Sequence, residues 1–244
     1  MKKVLVIQSR SRQEMIDAER QEYTRSIGNA AEVSFASTLD LALQWKDPKK
    51  ILDRYDGVIL GGSGEFDLHG GRTADDPARM TARQIVDRIR TFVDYVLAND
   101  ISILGICFGH QLIAEMHGGK VTNDHEQKKV GTYEVSLTEE GMQDRLFSSL
   151  PKDFTAQYGH KDSVTSLPTG ATLLAVGPAC KFSVLRYGPR AYTTQFHPEL
   201  TAKDVYWKLE HSPGYLPEGI DVGDMVKEST EASRIIPLFI ERIV

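Results

Sequence analysis

The sequence predicts an α/β fold: a doubly wound, mostly parallel open sheet with helices on both faces, plus a smaller antiparallel portion. In the first half of the chain, short apolar runs alternate with stretches of helical periodicity, which is typical of parallel strands joined by right-handed crossovers. In the second half, five strand candidates follow one another closely, which favours antiparallel pairing. We see no repeat or linker in the 244 residues. We therefore expect residues 1–244 to form one domain, with a motif-bearing core over about 1–200 and an extension over about 201–244.

Apolar runs and turn residues place the elements of the first half. The expected strands are residues 3–8, 31–36, 57–60 and 101–104. The expected helices are residues 12–27, residues 41–55 with an interruption at Pro48, a helix that begins at Asp76-Pro77, and residues 111–117. The helix behind Pro77 carries an apolar face at 3.6-residue spacing, formed by Ile85, Ile89, Phe92, Val93, Val96 and Leu97.

The second half is predicted from shorter runs. The expected strands are residues 132–137, 154–158, 172–176, 182–187 and 191–196. A last helix is expected near residues 229–244, kinked or started late by Pro237. The segment 201–228, which includes a Pro/Gly-rich stretch at 211–223, receives no assignment.

Composition and charge exclude several classes of protein. The net charge of −5 argues against a dedicated nucleic-acid binder, which would carry a basic surplus. The opening apolar run, Val4 to Ile7, is far too short to span a membrane, and no later run approaches eighteen residues. Because there are only two cysteines, Cys107 and Cys180, we expect no disulfide framework and a reducing, cytoplasmic setting.

The most informative stretch surrounds Cys107 and predicts a strand, a sharp turn and a helix, with the cysteine at the apex. At the start of a helix, unpaired N–H groups and the helix dipole favour the thiolate, which is the nucleophilic form. Gly105 and Gly109 relieve crowding at such a turn. The turn also sets the N–H of Phe108 beside the sulfur, where it can bind a developing oxyanion. Cys180 has no motif around it and is interpreted as a core residue.

The motif Gly105-Ile-Cys107-Phe-Gly109-His-Gln111 resembles the nucleophile motif of class I glutamine amidotransferases, and most closely that of the glutaminase domain of GMP synthetase. The resemblance implies a flavodoxin-like fold and a Cys-His-Glu triad. The segment Phe196-His197-Pro198-Glu199 is similar to the second motif of the family. It follows a strand candidate, and Pro198 holds His197 in an extended backbone. We therefore predict Cys107 as the nucleophile, His197 as the base and Glu199 as the group that orients the imidazole.

Two further segments resemble family motifs. Gly61-Gly62-Ser63-Gly64 is similar to the family's glycine loop, with Ser63 at the usual proline position. By position, Gly62 supplies the second oxyanion N–H, with Phe108 as the first, and Gly64 lines the glutamine pocket. The loop lacks the spacing of a nucleotide-binding motif.

The other residues of the predicted glutamine pocket are also implied by their positions relative to the family's motifs. Gln111 lies one helical turn after the cysteine and can reach back to the substrate. In the segment Gly159-His160-Lys161-Asp162, Lys161 and Asp162 are predicted to hold the substrate, with Lys161 in place of the family's glycine. His160 is interpreted as structural. Gly70-Gly71 could hinge a lid over the site, and a plain surface loop is an equal alternative.

These motifs predict an enzyme that hydrolyses the γ-amide of glutamine through a Cys107 thioester, with no metal or organic cofactor. Only about 45 residues follow Glu199, which leaves no room for the ATP-pyrophosphatase domain of GMP synthetase. We therefore expect ammonia to pass to a separate synthetase subunit, whose identity the sequence does not give. Two alternatives stay open: a γ-glutamyl peptidase or hydrolase acting on other γ-glutamyl compounds, and a non-enzymatic regulatory subunit that kept the fold.

Overall fold

The strands form one large sheet and one small sheet in the computed structural model of the chain, which describes residues 1–127, 129–178, 180–212 and 222–244. The strands are β1 (Lys2–Gln8), β2 (Ala31–Ser37), β3 (Gly57–Leu60), β4 (Ser102–Ile106), β5 (Lys120–Thr122), β6 (Lys129–Leu137), β7 (Asp153–His160), β8 (Ser163–Ser166), β9 (Ala171–Gly177), β10 (Cys180–Tyr187) and β11 (Ala191–Thr194). The helices are α1 (Gln13–Ile27), α2 (Pro48–Leu52), α3 (Pro77–Ala98), α4 (Phe108–Met116), α5 (Glu139–Gln143), α6 (Ala202–His211), α7 (Val222–Met225) and α8 (Ile235–Arg242).

The large sheet joins a parallel half to an antiparallel half. Its strand order is β2-β1-β3-β4-β11-β10-β9-β6-β7. The first five strands pair in parallel, and the last five pair antiparallel, with β11 shared between the halves. Strands β5 and β8 form a separate antiparallel pair. The predicted α/β fold, with parallel strands, helices on both faces and an antiparallel portion, is confirmed, and the antiparallel portion of the large sheet has as many strand pairings as the parallel portion.

The two faces of the sheet are buried by different helices. Along β1, Val4 and Val6 point into a core shared with α1 and α8, whereas Leu5 and Ile7 point into a core shared with α3 and α4. Successive side chains of a strand point to opposite faces, so a strand with a core on each side is apolar throughout. This explains why the runs in the first half are continuous rather than alternating.

Helix α3 forms as its sequence predicts. The carboxylate of Asp76 accepts a hydrogen bond from the N–H of Ala78, and Pro77 occupies the first helical position. The predicted apolar face is buried, apart from a half-buried Leu97 at its end. In the described part of the chain, no helix combines the length and the apolar character that a membrane span requires.

Several predicted boundaries were wrong. The predicted helix 41–55 is reduced to α2, because Pro48 cannot continue a helix and disfavours helical backbone at the residue before it. Helix α4 begins at Phe108 rather than at residue 111. At the C-terminus, a 3₁₀ turn over Ala232–Arg234 precedes α8, in which Pro237 is the third residue.

Five elements of the described chain were missing from the prediction: β5, β8, α5, α6 and α7. Helix α6 lies in the segment that received no assignment. Of the Pro/Gly-rich stretch 211–223, residues 213–221 lie outside the described residues.

Candidate active site

Three neighbouring parallel strands place the glycine loop, Cys107 and His197 at the same end of the sheet. In the register of the sheet, Leu60 of β3 pairs with Gly105 of β4, and Ile106 of β4 pairs with Thr194 of β11. The glycine loop follows β3, Cys107 follows β4, and His197 follows β11. The carboxyl ends of adjacent parallel strands are where open α/β sheets form their sites.

Cys107 lies at a strained turn. Its φ is 50°, a left-handed conformation that is uncommon for a residue other than glycine. Its N–H donates to the Thr194 carbonyl at 2.8 Å, and the residue caps α4. The turn requires Gly109, because a Cβ there would lie 2.1 Å from the Leu60 carbonyl oxygen. The Cys107 thiol is buried, 3.9 Å from the Gly159 carbonyl oxygen.

His197 and Glu199 form a buried pair. The distance from His197 Nδ1 to Glu199 Oε1 is 2.6 Å, and both side chains are at least nine-tenths buried. The backbone N–H of His197 donates to the backbone carbonyl of Gln157 at 2.8 Å, which fixes the main chain beside the ring. Because Nδ1 faces Glu199, Nε2 is the ring nitrogen that remains for the predicted proton exchange with Cys107.

Glu199 and Cys107 together raise the pKa of His197 by more than burial of the imidazole lowers it. Burial disfavours the imidazolium, but the Glu199 carboxylate, and next the interaction with Cys107, outweigh burial and raise the pKa of His197 to about 10. His197 is therefore protonated at neutral pH, with its positive charge next to Cys107. The arrangement matches a cysteine nucleophile, its base and an orienting carboxylate.

Two other buried histidines differ from His197 in charge. Burial lowers the pKa of His160 to about 4 and that of His110 to about 3, so both rings are neutral at pH 7. His160 Nδ1 lies 3.0 Å from the Asp162 carbonyl, and His110 Nδ1 lies 2.7 Å from Thr193 Oγ1. The structural interpretation of His160 agrees with these contacts. Cys180 is buried in the core, and burial raises the pKa of its thiol to about 11.

The two predicted oxyanion donors flank the cysteine. A Cβ on Gly62 would lie 2.9 Å from His197 Cε1 and 3.6 Å from Cys107 Cβ, so Gly62 lies next to both catalytic candidates and leaves no space for a side chain on the side of His197. Phe108 begins α4, and a first-turn N–H has no acceptor within its own helix. The Ser63 hydroxyl accepts from the N–H groups of Glu65 and Phe66 at 3.2 and 3.0 Å, which braces the loop where the family has proline. The oxyanion role of Gly62 and Phe108 stays a prediction.

Three of the four predicted substrate-pocket residues lie together: Gln111, Lys161 and Asp162. Gln111 Nε2 donates to the Asp162 carbonyl at 2.7 Å and to Gln195 Oε1 at 3.2 Å. The Lys161 carbonyl accepts from Asn123 at 3.1 Å. The fourth, Gly64, lies in the wall of a cleft beside His197 whose described lining includes none of these three. The structure therefore groups Gln111, Lys161 and Asp162, while Gly64 faces a different space.

The carboxylate of Asp162 holds the neighbouring loop. Its two oxygens accept from the N–H groups of His69 and Gly70 at 2.7 and 2.6 Å. Arg72 adds ion pairs with Asp67 and Asp76 at 3.0 and 3.1 Å. A loop with these contacts is fastened to the pocket segment. The side chain of Asp162 therefore acts on the loop, and only its backbone remains for a substrate.

The sequence prediction missed a group of charged residues behind the triad. Arg10 pairs with Glu19 at 2.9 Å and Lys208 with Glu22 at 3.0 Å, with little exposure of any of the four side chains. Burial, and next the charge of Glu199, raise the pKa of Tyr23 well above its ordinary value. One signal was available: on α1, Glu19 and Glu22 occupy the same helical face as the buried Met15 and Tyr23. No group of three or more His, Cys, Asp or Glu in the described ranges is arranged to hold a metal ion.

Comparison with known proteins gives the same family as the motifs. The family model described as glutamine amidotransferase class-I matches residues 16–205. The glutamine-hydrolyzing GMP synthase subunit of Methanococcus aeolicus is 32% identical over 117 residues, which is 48% of this chain and 60% of that protein. The corresponding subunit of Methanopyrus kandleri is 29% identical over 155 residues, 63% of this chain and 72% of that protein.

A solved structure shows the same fold over almost the full length. The crystal structure of a glutamine amidotransferase from Thermotoga maritima has a TM-score of 0.72 and 20% identity. The match covers 99% of this chain and 97% of that chain. At this identity, the likeness concerns the fold alone.

Proposed function

Because the chain belongs to the class-I glutamine amidotransferase family, we propose that it hydrolyses the γ-amide of glutamine to glutamate and ammonia through a thioester on Cys107. The observation that carries the proposal is the placement of Cys107 at a strained helix start beside the buried His197–Glu199 pair. The family match bears out the prediction of an enzyme of this type. The substrate and the thioester are our proposal.

Each group has a role in the proposed reaction. The Cys107 thiolate attacks the γ-carbonyl carbon, and the oxygen takes up negative charge between the N–H groups of Gly62 and Phe108. The His197 imidazolium protonates the nitrogen as the C–N bond breaks, so that ammonia leaves and the thioester remains. Neutral His197 then removes a proton from water, which attacks the thioester and releases glutamate. Glu199 keeps the ring oriented and stabilises its charged form.

On the substrate side, we propose that the pocket is formed by backbone groups of Lys161 and Asp162 and by the Gln111 side chain. Gln111 already binds the Asp162 carbonyl. It therefore connects the helix that starts at Cys107 to the segment that would hold the amino and carboxylate ends of the substrate.

We further propose that residues 1–244 are one amidotransferase domain whose ammonia passes to a separate synthetase. Support comes from relatives whose names make them one subunit of a glutamine-hydrolyzing GMP synthase, and the alignment with the Methanococcus aeolicus protein spans 60% of its length. The acceptor of the ammonia is therefore expected on another chain.

Glutamate release tests the proposal. Purified protein is incubated with glutamine, without and with the synthetase component of a GMP synthase, and the acyl-enzyme is trapped with hydroxylamine as the γ-glutamyl hydroxamate. We expect release and trapping in the wild type and in Cys180→Ala, and loss of both in Cys107→Ala. Equal release by the Cys107→Ala protein would overturn the proposal. No release and no hydroxamate in any condition would favour a regulatory role instead.

A further inference from the structure

A cleft lies beside His197, and its described lining includes neither Gln111 nor Asp162. Its walls include His197, Gly64 and Gly159. Five aliphatic or thioether side chains also line it, from α1, β6, the segment before α6 and α6 itself: Met15, Val130, Leu200, Val205 and Leu209. All but one of these apolar residues belong to a single buried cluster around α6.

The position of the cleft identifies which part of a substrate would enter it. In the proposed reaction, the glutamyl half of the substrate occupies the side of Gln111 and Asp162. The nitrogen that leaves must face His197, which protonates it. A substituent on that nitrogen would therefore project into the cleft.

The charges around the cleft are balanced. Two cations reach its wall, Arg10 and Lys208. Arg10 donates twice to Glu19, at 2.9 and 3.1 Å, and Lys208 lies 3.0 Å from Glu22. Each cation thus has its own buried carboxylate, and an added anion would have to compete with it. The cleft suits an uncharged apolar group better than a carboxylate.

The volume limits the size of that group. The cleft has a volume of about 60 Å³. About 10–15 Å³ of such volume holds one water molecule, so there is room for roughly four to six heavy atoms. Ammonia alone needs neither this room nor an apolar wall.

We propose that the cleft is a leaving-group subsite for γ-glutamyl amides of small alkylamines, with about two to five carbons on the nitrogen. The inference rests on the proposed function, since it uses the same thioester. The C–N bond breaks as the Cys107 S–C bond forms, and the nitrogen takes its proton from His197. The amine leaves, and water converts the thioester to glutamate and a free thiol. No oxidant or reductant is required.

Binding to the Cys107→Ala protein tests the subsite without turnover. Calorimetry is carried out with glutamine and with its N-methyl, N-ethyl, N-propyl, N-butyl and N-hexyl amide analogues. Burial of a methylene is worth about 0.8 kcal/mol, which is roughly fourfold in affinity. We expect Kd to fall about threefold to fourfold per carbon up to four or five carbons, and then to level off or rise. A Kd that is flat or rises from the first carbon overturns the subsite.

Two substitutions at Leu209 move the size limit in opposite directions. Leu209→Phe fills the cleft and is expected to shift the best chain length down by two or more carbons, whereas Leu209→Ala shifts it up. Glu210→Ala is the matched control, since Glu210 is exposed on the same helix. An unchanged optimum in both Leu209 variants overturns the assignment of the cleft.

Turnover separates the two proposals. If the wild type hydrolyses glutamine but the affinity series shows no gain with chain length, the subsite is wrong and the proposed function stands. If the affinity series has the expected form but no substrate yields a γ-glutamyl hydroxamate, the subsite stands and the hydrolytic function is wrong.

Discussion

Replacing Glu199 with glutamine removes a buried charge while preserving the shape of the side chain. The amide oxygen can still accept the hydrogen bond that His197 Nδ1 now makes at 2.6 Å. Glu199 Oε2 has no hydrogen-bond partner among the described residues, so an amide group in its place breaks no bond seen there. The variant therefore tests the charge itself.

The size of the effect follows from the pKa of His197. Its rise from 6.5 to about 10 is equivalent to roughly 5 kcal/mol in favour of the imidazolium, at about 1.36 kcal/mol per pKa unit. Glu199 is the largest of the groups that raise it, and burial, which opposes it, remains in the variant. An opposite charge typically accounts for about 1–3 pKa units. A loss of about 2 units would bring the pKa of His197 to about 8. Because the imidazolium is then scarce only at alkaline pH, kcat/KM should fall roughly 50-fold at pH 10 and change little at pH 7.

The assay is glutamate release from glutamine as a function of pH between 5 and 11. The imidazolium must be present to protonate the leaving nitrogen, so the alkaline limb of the wild-type profile is expected near pH 10. In Glu199→Gln, that limb should move to about pH 8, with the fold unchanged by circular dichroism. The control is Glu210→Gln, the same substitution at an exposed position. A decrease smaller than threefold at pH 10, with the alkaline limb unmoved, would refute the reasoning.

Three further predictions concern the surroundings of the triad. Gly62→Ala places a methyl 2.9 Å from His197 Cε1, and we expect kcat/KM to fall about 100-fold with little change in Tm. The comparison variant is Gly109→Ala, whose methyl would lie 2.1 Å from the Leu60 carbonyl oxygen. This variant should lower Tm strongly. An active Gly62→Ala enzyme would contradict the placement of the ring. The asparagine of Asp162→Asn has one acceptor oxygen, so it cannot accept from the N–H groups of both His69 and Gly70. We expect a loss of about 1–3 kcal/mol in the free energy of unfolding by urea and faster proteolysis of the loop that contains these two residues. Unchanged values would show that other contacts hold this loop. His110 is neutral in the folded protein and takes up a proton in the unfolded chain. It should therefore account for a loss of roughly 3 kcal/mol of stability in the wild type between pH 6.5 and 4. Urea unfolding of His110→Asn should show a weaker dependence of stability on acid pH, and an equal dependence would contradict the prediction.

The turn at Cys107 could be predicted because the residues that it requires lie next to the cysteine in the sequence. The approach of Gly109 to the Leu60 carbonyl leaves no space for a side chain, and the sequence carries that demand as a glycine two residues after the cysteine. The start of α3 is local as well, since Asp76 and Pro77 set it without help from the rest of the fold. Local chemistry of this kind can be interpreted without the structure.

The pairing of Glu22 with Lys208 could not be predicted, because the two residues are distant in sequence. Glu22 meets Lys208 only when α1 packs near α6, and a charged residue on a helix is ordinarily taken as exposed. Burial raises the pKa of Glu22, which shows how much the position departs from a solvated face. In contrast, α6 had a usable signal: Thr201 and Asp204 form a capping box.

The register of β3, β4 and β11 has a consequence for how the molecule can be studied. Because the glycine loop, Cys107 and His197 each follow a different strand, a shift of one strand by one residue would turn its side chains to the opposite face. Such a chain could keep native-like secondary structure and still have no assembled triad. The turnover recovered after refolding would therefore measure the fraction of molecules whose central strands are in the native register. Circular dichroism does not distinguish these molecules from those with a shifted strand, so activity is the more specific measure of strand alignment.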